Sequence, residues 1–432
     1  MPKRALPFLF ALLALAGSGL AAIKAVVPDH FKRAEEALAR KDLDGALAAL
    51  DAGLKENPEN APARLWRGRL RADRGAFDRA LEDLNEAVRL NPQHAEARAT
   101  RGYVHQKKQN NDAAMADFNA ALRIDTDNEL ALYCRGLLHG LKGDLSAALG
   151  DLDAAVALNP KNAAALQRRG HVHMLRQKWD AAIADFDACL AIDPNDAIGH
   201  TGRAGAYFAK GEFQKAVDDY TEAARLMPND PRPLTQRGYA YAALQQDEKA
   251  LADFEAALQM EPKDIAALFG RAELRRIAKK WSEAVADYTA ALAIEPTDVR
   301  GFMGRAAAHY GSGDNEKALA DYAEAVKNSV SFAQAYNDYA WLLATGTKDG
   351  LRDGEKAIAL ASEACRLTEW KSAGYLDTLA AAYAEKGNFD EAVKWQAEAI
   401  KHAGEEPPEV RAEIEGRLEL YRQKKPYREG PK

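Results

Sequence analysis

The chain has 432 residues, with 59 Lys or Arg, 65 Asp or Glu and a formal net charge of −6. Charges of both signs are interspersed, and no basic stripe contains interleaved aromatic residues, so the composition argues against a nucleic-acid partner. A chain of this length usually forms two or three globular domains, and only a repeating array escapes that limit.

The N-terminal segment has the pattern of an export signal. Lys3 and Arg4 precede the uncharged residues 5–23, and the small residues Ala21 and Ala22 offer a cleavage site. The same stretch is long enough to cross a bilayer without being cleaved. We therefore expect residues 1–22 to be a signal peptide or a membrane anchor. The protein would then be periplasmic or secreted, or anchored in the inner membrane through this segment alone.

Residues 27–330 contain nine copies of a 34-residue repeat. Each repeat has an alanine at a fixed position, a large apolar residue four positions later, and a glycine or alanine twelve positions earlier. Seven of the nine repeats end with proline, which cannot continue a helix. The period predicts stacked helix-turn-helix repeats, with the small residue of the first helix facing the alanine of the second. The alanines are Ala46, Ala80, Ala114, Ala148, Ala182, Ala216, Ala250, Ala284 and Ala318.

The pattern becomes irregular after residue 330. Residues 331–406 fit two divergent repeats with a loop insertion at 345–354, and residues 407–432 fit a capping helix and a tail. Because the last helix carries charge on most faces, we expect it to cover the end of the array with a polar surface. We expect the tail after Lys424 to be loose.

These positions resemble the tetratricopeptide repeat (TPR) family, and the divergent end resembles those of many bacterial members, as in an exported bacterial protein. The resemblance implies an all-α, right-handed α-solenoid of about eleven repeats plus a C-terminal capping helix. It also implies a concave groove lined by the first helix of each repeat.

An arginine occupies the seventh position of every regular repeat, where the family usually has leucine. In eight repeats an aspartate follows sixteen residues later, and both disappear together in the two divergent repeats. We interpret the pairs as a structural ion-pair ladder between the two helices of one repeat; the alternative is an electrostatic track for a charged ligand. The pairs are Arg67 and Asp83, Arg101 and Asp117, Arg135 and Asp151, Arg169 and Asp185, Arg203 and Asp219, Arg237 and Asp253, Arg271 and Asp287, and Arg305 and Asp321.

No catalytic or metal-binding pattern is present in the sequence. His105, His139, His173 and His309 share one position, but equivalent helices of neighbouring repeats lie about 8–10 Å apart, too far for shared zinc ligands. A packed aromatic slot explains them better, since Tyr207 shares the position. We therefore expect no metal, no cofactor and no enzyme activity, and the widely spaced cysteines 134, 189 and 365 predict no disulfide.

Function is then expected on the groove, at the fifth, ninth and twelfth positions of the first helices. The sequence predicts a scaffold for protein–protein interaction that binds a peptide or helix of a partner there, within the bacterial cell envelope. Alternatives are a self-associating architectural protein and an accessory subunit of a polysaccharide or cell-wall enzyme. The predicted groove residues are Tyr103, Tyr133, Leu137, His171, Met174, Phe208, Tyr239, Phe269, Met303, Tyr310 and Trp341.

Overall fold

A computed structural model describes residues 28–429, and this part of the chain is entirely helical and contains no β-strand. The expected N-terminal signal or anchor lies outside the described residues. Within them, no helix is both long and apolar enough to span a membrane. The helices are α1 (Pro28–Ala39), α2 (Leu43–Glu56), α3 (Ala61–Asp73), α4 (Phe77–Leu90), α5 (Ala95–Lys107), α6 (Asn111–Ile124), α7 (Glu129–Leu141), α8 (Leu145–Leu158), α9 (Ala163–Leu175), α10 (Trp179–Ile192), α11 (Ala197–Ala209), α12 (Phe213–Leu226), α13 (Arg232–Ala243), α14 (Asp247–Met260), α15 (Ile265–Ile277), α16 (Trp281–Ile294), α17 (Val299–Gly311), α18 (Asn315–Asn328), α19 (Ala333–Thr345), α20 (Gly354–Leu367), α21 (Ala373–Glu385), α22 (Phe389–His402) and α23 (Pro408–Arg422).

The chain divides into two compact halves between Gly211 and Glu212. The structure describes residues 28–211 of the N-terminal half and 212–429 of the C-terminal half. Odd-numbered helices up to α21 are the first helix of a repeat, and even-numbered helices are the second. Within each half, the two helices of a repeat pack against each other and against the next repeat. The expected all-α repeat fold is therefore confirmed.

The core is built around the periodic alanines, all of which are fully buried. The glycine of the first helix packs mainly against the large apolar residue of the second helix. A Cβ placed on Gly102 would lie 2.7 Å from Phe118 Cε1 and 3.2 Å from the backbone oxygen of Ala114. The expected glycine–alanine contact therefore involves the alanine backbone, and the neighbouring ring fills the space that glycine leaves.

A residue with positive φ links the two helices of each regular repeat. Glycine is suited to this conformation, because a side chain crowds the following carbonyl there. Four repeats use glycine, but five use lysine or glutamine, as at Gln109 with φ 62°. The nine positions are Lys41, Gly75, Gln109, Gly143, Gln177, Gly211, Gln245, Lys279 and Gly313.

The C-terminal end is more closely packed than the sequence suggested. Helix α23 buries Ile414 and Tyr421 in the apolar core, so it is a packed helix as well as a cap. The expectation of a loose tail after Lys424 is wrong for the described residues. The backbone N–H of Glu429 donates to the Thr345 carbonyl at 3.0 Å, because the tail folds back onto α19.

Candidate functional site

The ladder side chains meet in the seven pairs that lie within one half of the chain. Arg67 is representative: its Nε donates to Asp83 Oδ2 at 2.8 Å and its Nη2 to Asp83 Oδ1 at 2.6 Å. The aspartate side chains of these seven pairs are only 1–10% exposed. The eighth pair, Arg203 and Asp219, is divided between the two halves. Buried carboxylates that already accept two bonds from arginine favour the structural interpretation over a ligand track.

Sequence reasoning missed a second contact of the ladder arginines. The free Nη1 reaches back to the second helix of the preceding repeat, as from Arg135 to Asn119 Oδ1 at 2.8 Å and from Arg169 to Asp153 Oδ1 at 2.9 Å. The arginines with such a contact therefore link two repeats. In the sequence, this contact could have been predicted from a polar residue sixteen positions before the arginine. These partners are Asp51, Asn85, Asn119, Asp153, Asp187, Thr221 and Thr289.

The shared histidine position lies one helical turn after the ladder arginine. His173 Nε2 is 3.9 Å from Asp185 Oδ2, and burial lowers the pKa of His173, an effect that the Asp185 charge opposes. In another repeat the same position holds Arg71, which donates to Asp83 at 2.8 Å. The position thus packs against the ladder aspartate. Among residues 28–429, no group of three His, Cys, Asp or Glu side chains could hold a metal ion.

The predicted groove residues of the N-terminal half are mostly half-buried. Tyr103 and Tyr133 pack against the core, and burial raises the pKa of both phenols. Met174 also packs against the core, while His171 is exposed and its ring stacks edge-on against Phe186 at 5.3 Å. These side chains therefore form a surface with an apolar floor. Leu137 and Phe208 are partly exposed on the same set of helices.

The most exposed apolar side chains of these helices were missed by the sequence analysis. Leu141 is 75% exposed and Leu175 is 68% exposed. Each is the thirteenth and last residue of its helix, one turn beyond Leu137 and His171 respectively. Residues four apart lie on the same helix face. We define Leu137, Leu141, Met174 and Leu175 as the apolar row. In the sequence, Leu141 and Leu175 could have been recognised as leucines that lie one turn after the ninth position of their repeats.

Three predicted groove residues of the C-terminal half serve internal packing. The Tyr239 hydroxyl donates to the Ala266 carbonyl at 2.6 Å. The guanidinium of Arg300 lies 5.0 Å from the centre of the Phe269 ring, and Met303 packs against two core clusters. These contacts join neighbouring repeats, so the residues stabilise the array whether or not a ligand binds.

Trp341 and Tyr310 face the chain's own tail. Trp341 Nε1 donates to Glu429 Oε2 at 2.6 Å, and its ring centre lies 5.8 Å from that of Tyr427. Burial and the neighbouring Glu429 raise the pKa of Tyr310. Trp341 is therefore not open to an outside ligand while the tail is in place.

The tail crosses the ends of successive first helices. Arg428 Nη2 lies 2.5 Å from Glu385 Oε2, at the last residue of α21, while Glu429 binds the backbone of Thr345, the last residue of α19. Both are thirteenth residues of their helices, as are Leu141 and Leu175. A non-helical segment therefore lies on the same positions that form the apolar row in the N-terminal half.

Repeated helix pairs with buried alanines and an inter-helix ladder define a helical-repeat solenoid protein. The family description "Tetratricopeptide repeat" matches residues 37–102, 95–128, 135–197 and 235–299, and the description "TPR repeat" matches residues 204–245. The chain belongs to the tetratricopeptide repeat family. No curated protein matches the sequence.

Solved structures of the same fold are similar at low sequence identity. A tetratricopeptide repeat protein from Parabacteroides merdae is 22% identical, with a TM-score of 0.40, over 57% of this chain and 97% of that one. PilF of Pseudomonas aeruginosa is 20% identical, with a TM-score of 0.45, over 49% and 97%. Yeast Tom70 is 15% identical, with a TM-score of 0.43, over 91% and 95%.

Proposed function

We propose that the protein is a non-catalytic scaffold that binds a non-helical segment of a protein partner along the apolar row. One observation carries the proposal: residues 427–429 of the chain already lie across the equivalent helix ends in the C-terminal half. The position of the tail supports binding of a peptide at the helix ends. The family is one in which repeats commonly bind proteins, which is consistent with this role.

The chemistry of the apolar row favours an apolar partner segment. Complete burial of one leucine side chain contributes about 1.5–3 kcal/mol, so Leu141 and Leu175 together supply about 3–6 kcal/mol before the costs of association. Because association itself costs at least about 4 kcal/mol, the two leucines do not hold a complex alone, and Leu137, Met174 and contacts to the partner backbone must add to them. The row therefore suits a segment with apolar residues spaced to meet successive helices.

The compartment is proposed from the N-terminal segment. If residues 1–22 direct export, the partner belongs to the bacterial cell envelope. Fractionation of cells producing the tagged protein, with and without residues 1–22, tests this part separately. Retention of both forms in the cytoplasm would contradict an envelope role. Binding at the apolar row is tested independently of the compartment.

Crosslinking in cells tests the row itself. The wild-type protein is compared with Leu141→Asp/Leu175→Asp and with the control Leu158→Asp, which alters a half-exposed leucine at the end of a second helix. A protein captured by wild type and control but lost from the double variant supports the proposal. Equal capture by all three contradicts it, and capture of only the chain itself favours self-assembly.

A further inference from the structure

We propose that the surface under the tail is a second peptide-binding site, for a partner segment with an aromatic, a basic and an acidic residue in succession. Residues 427–429 compete for this site within the chain. The tail site consists of Tyr310, Trp341, Thr345, Glu385 and Arg417. The inference rests on the proposed function only in that both place a ligand on the ends of the first helices.

Each of the three tail residues meets a chemically matched partner. The Tyr427 ring lies 5.2 Å from the Arg417 guanidinium and beside Trp341. Arg428 pairs with the Glu385 carboxylate, and the Glu429 carboxylate accepts from the Trp341 indole. Aromatic, basic and acidic side chains are therefore recognised individually, which distinguishes this contact from non-specific packing.

The site is held in place by the rest of the fold. Arg417 Nε donates to Asp377 Oδ1 at 2.8 Å, and Asp377 also accepts from Gln396 at 2.6 Å. On the other side, Arg352 of the inserted loop donates to Glu385 Oε1 at 3.0 Å and to the Gly346 carbonyl at 2.9 Å. The tail takes part in none of these bonds. Its departure therefore leaves the charged and aromatic groups in position for another segment.

The tail is held mainly by its side chains. Its backbone hydrogen bond to a first helix runs from the Glu429 N–H to the Thr345 carbonyl, and Lys424 and Lys425 are exposed. A segment tethered to its own site competes at an effective concentration of about millimolar. An outside segment of equal chemistry thus binds only weakly until the tail is displaced or removed.

The test measures binding of a fluorescent peptide with the sequence of residues 423–432. It is added to the full-length chain and to a chain ending at Gln423, and anisotropy gives the dissociation constants. We expect the shortened chain to bind at least tenfold more tightly than the full chain. Substituting Tyr427→Ala and Glu429→Gln in the peptide should abolish binding. A second probe places Tyr-Arg-Glu in a glycine–serine peptide and should bind with similar strength.

A second route avoids dependence on the shortened chain. The full-length variant Tyr427→Ala/Glu429→Gln retains the tail but weakens its contacts, and it should also bind the wild-type peptide at least tenfold more tightly than the unaltered chain. Absence of peptide binding by this variant, with circular dichroism unchanged, would overturn the inference. Binding of the native tail peptide but not of the glycine–serine probe would also overturn it, because recognition would then require this chain's own tail.

The two proposals can fail separately. The Leu141→Asp/Leu175→Asp variant alters the N-terminal half only, so after truncation at Gln423 it should bind the tail peptide normally. Conversely, loss of peptide binding through Glu385→Gln should leave capture through the apolar row unchanged.

Discussion

Replacing Arg169 with alanine should destabilise the array strongly, because it leaves a buried carboxylate without its partner. The Asp185 side chain is 5% exposed and accepts bonds from both Nε and Nη2 of Arg169. Removing one member of such a pair costs about 3–5 kcal/mol. His173, with Nε2 3.9 Å from Asp185, offers partial compensation, so we expect about 3 kcal/mol.

Two further variants separate the lost charge from the lost volume. Arg169→Leu should be milder than Arg169→Ala by about 1 kcal/mol, since leucine refills part of the apolar space. It still leaves Asp185 unpaired. Arg169→Leu/Asp185→Leu removes both charges and should approach wild-type stability, as for other buried pairs replaced by apolar residues. The control is Arg33→Ala, at an exposed arginine in the same repeat position with Ala49 sixteen residues later.

Hydrogen exchange gives the most direct measurement, because a solenoid unfolds by repeats and a single free energy of unfolding is not always defined. Protection of α9 and α10 should fall in Arg169→Ala and recover in the double variant, while Arg33→Ala changes stability by less than about 0.5 kcal/mol. The reasoning fails if Arg169→Ala costs less than about 1 kcal/mol in urea unfolding. It also fails if alanine and leucine destabilise equally, or if the double variant is as unstable as Arg169→Ala.

Three other predictions concern turns, protonation and thiols. Gln109→Gly should stabilise the protein by about 0.5–1 kcal/mol, because φ is positive there, whereas Gln106→Gly inside α5 should cost about 1 kcal/mol; thermal melts distinguish them. Burial lowers the pKa of His173 below its usual 6.5, so the unfolded chain takes up a proton first and stability should fall as pH drops below 6.5. His173→Tyr should reduce that fall in calorimetry between pH 7.5 and 5.5, and an unchanged slope would contradict the assignment. Burial raises the pKa of all three cysteines to about 12, so they should be inert to a disulfide reagent at pH 8 until denaturant is added.

The sequence predicted features marked by the same residue type in successive repeats, and it missed contacts whose residue types vary between repeats or that occur once. The 34-residue period located the buried alanines, and the joint loss of arginine and aspartate indicated their pairing. The backward bond from Arg135 to Asn119 was missed because asparagine, aspartate and threonine share that position without an obvious pattern. The tail contact joins Trp341 to Glu429, 88 residues apart, and no periodicity marks it.

The last helix illustrates a different failure. Ile414 and Tyr421 are seven residues apart and face the core, but the surrounding charges suggested a solvated surface. One of those charges, Arg417, is itself buried against Asp377. A count of charged residues therefore gave the wrong environment, because pairing allows an arginine to replace an apolar residue in a helix–helix contact.

The ladder and the proposed apolar binding row lie on opposite sides of the first helices. In α7, Arg135 and His139 face the second helices at the ladder. Leu137 lies two residues after Arg135, and Leu141 lies two residues after His139. At about 100° per residue, two positions correspond to about 200°, so the leucines point away from the ladder. Since Leu141 contributes little to the core, Leu141→Asp should change the free energy of unfolding by less than about 0.5 kcal/mol. If partners bind the apolar row as proposed, partner choice can vary there without altering the contacts that hold the repeats together. A large stability loss in Leu141→Asp would contradict this separation.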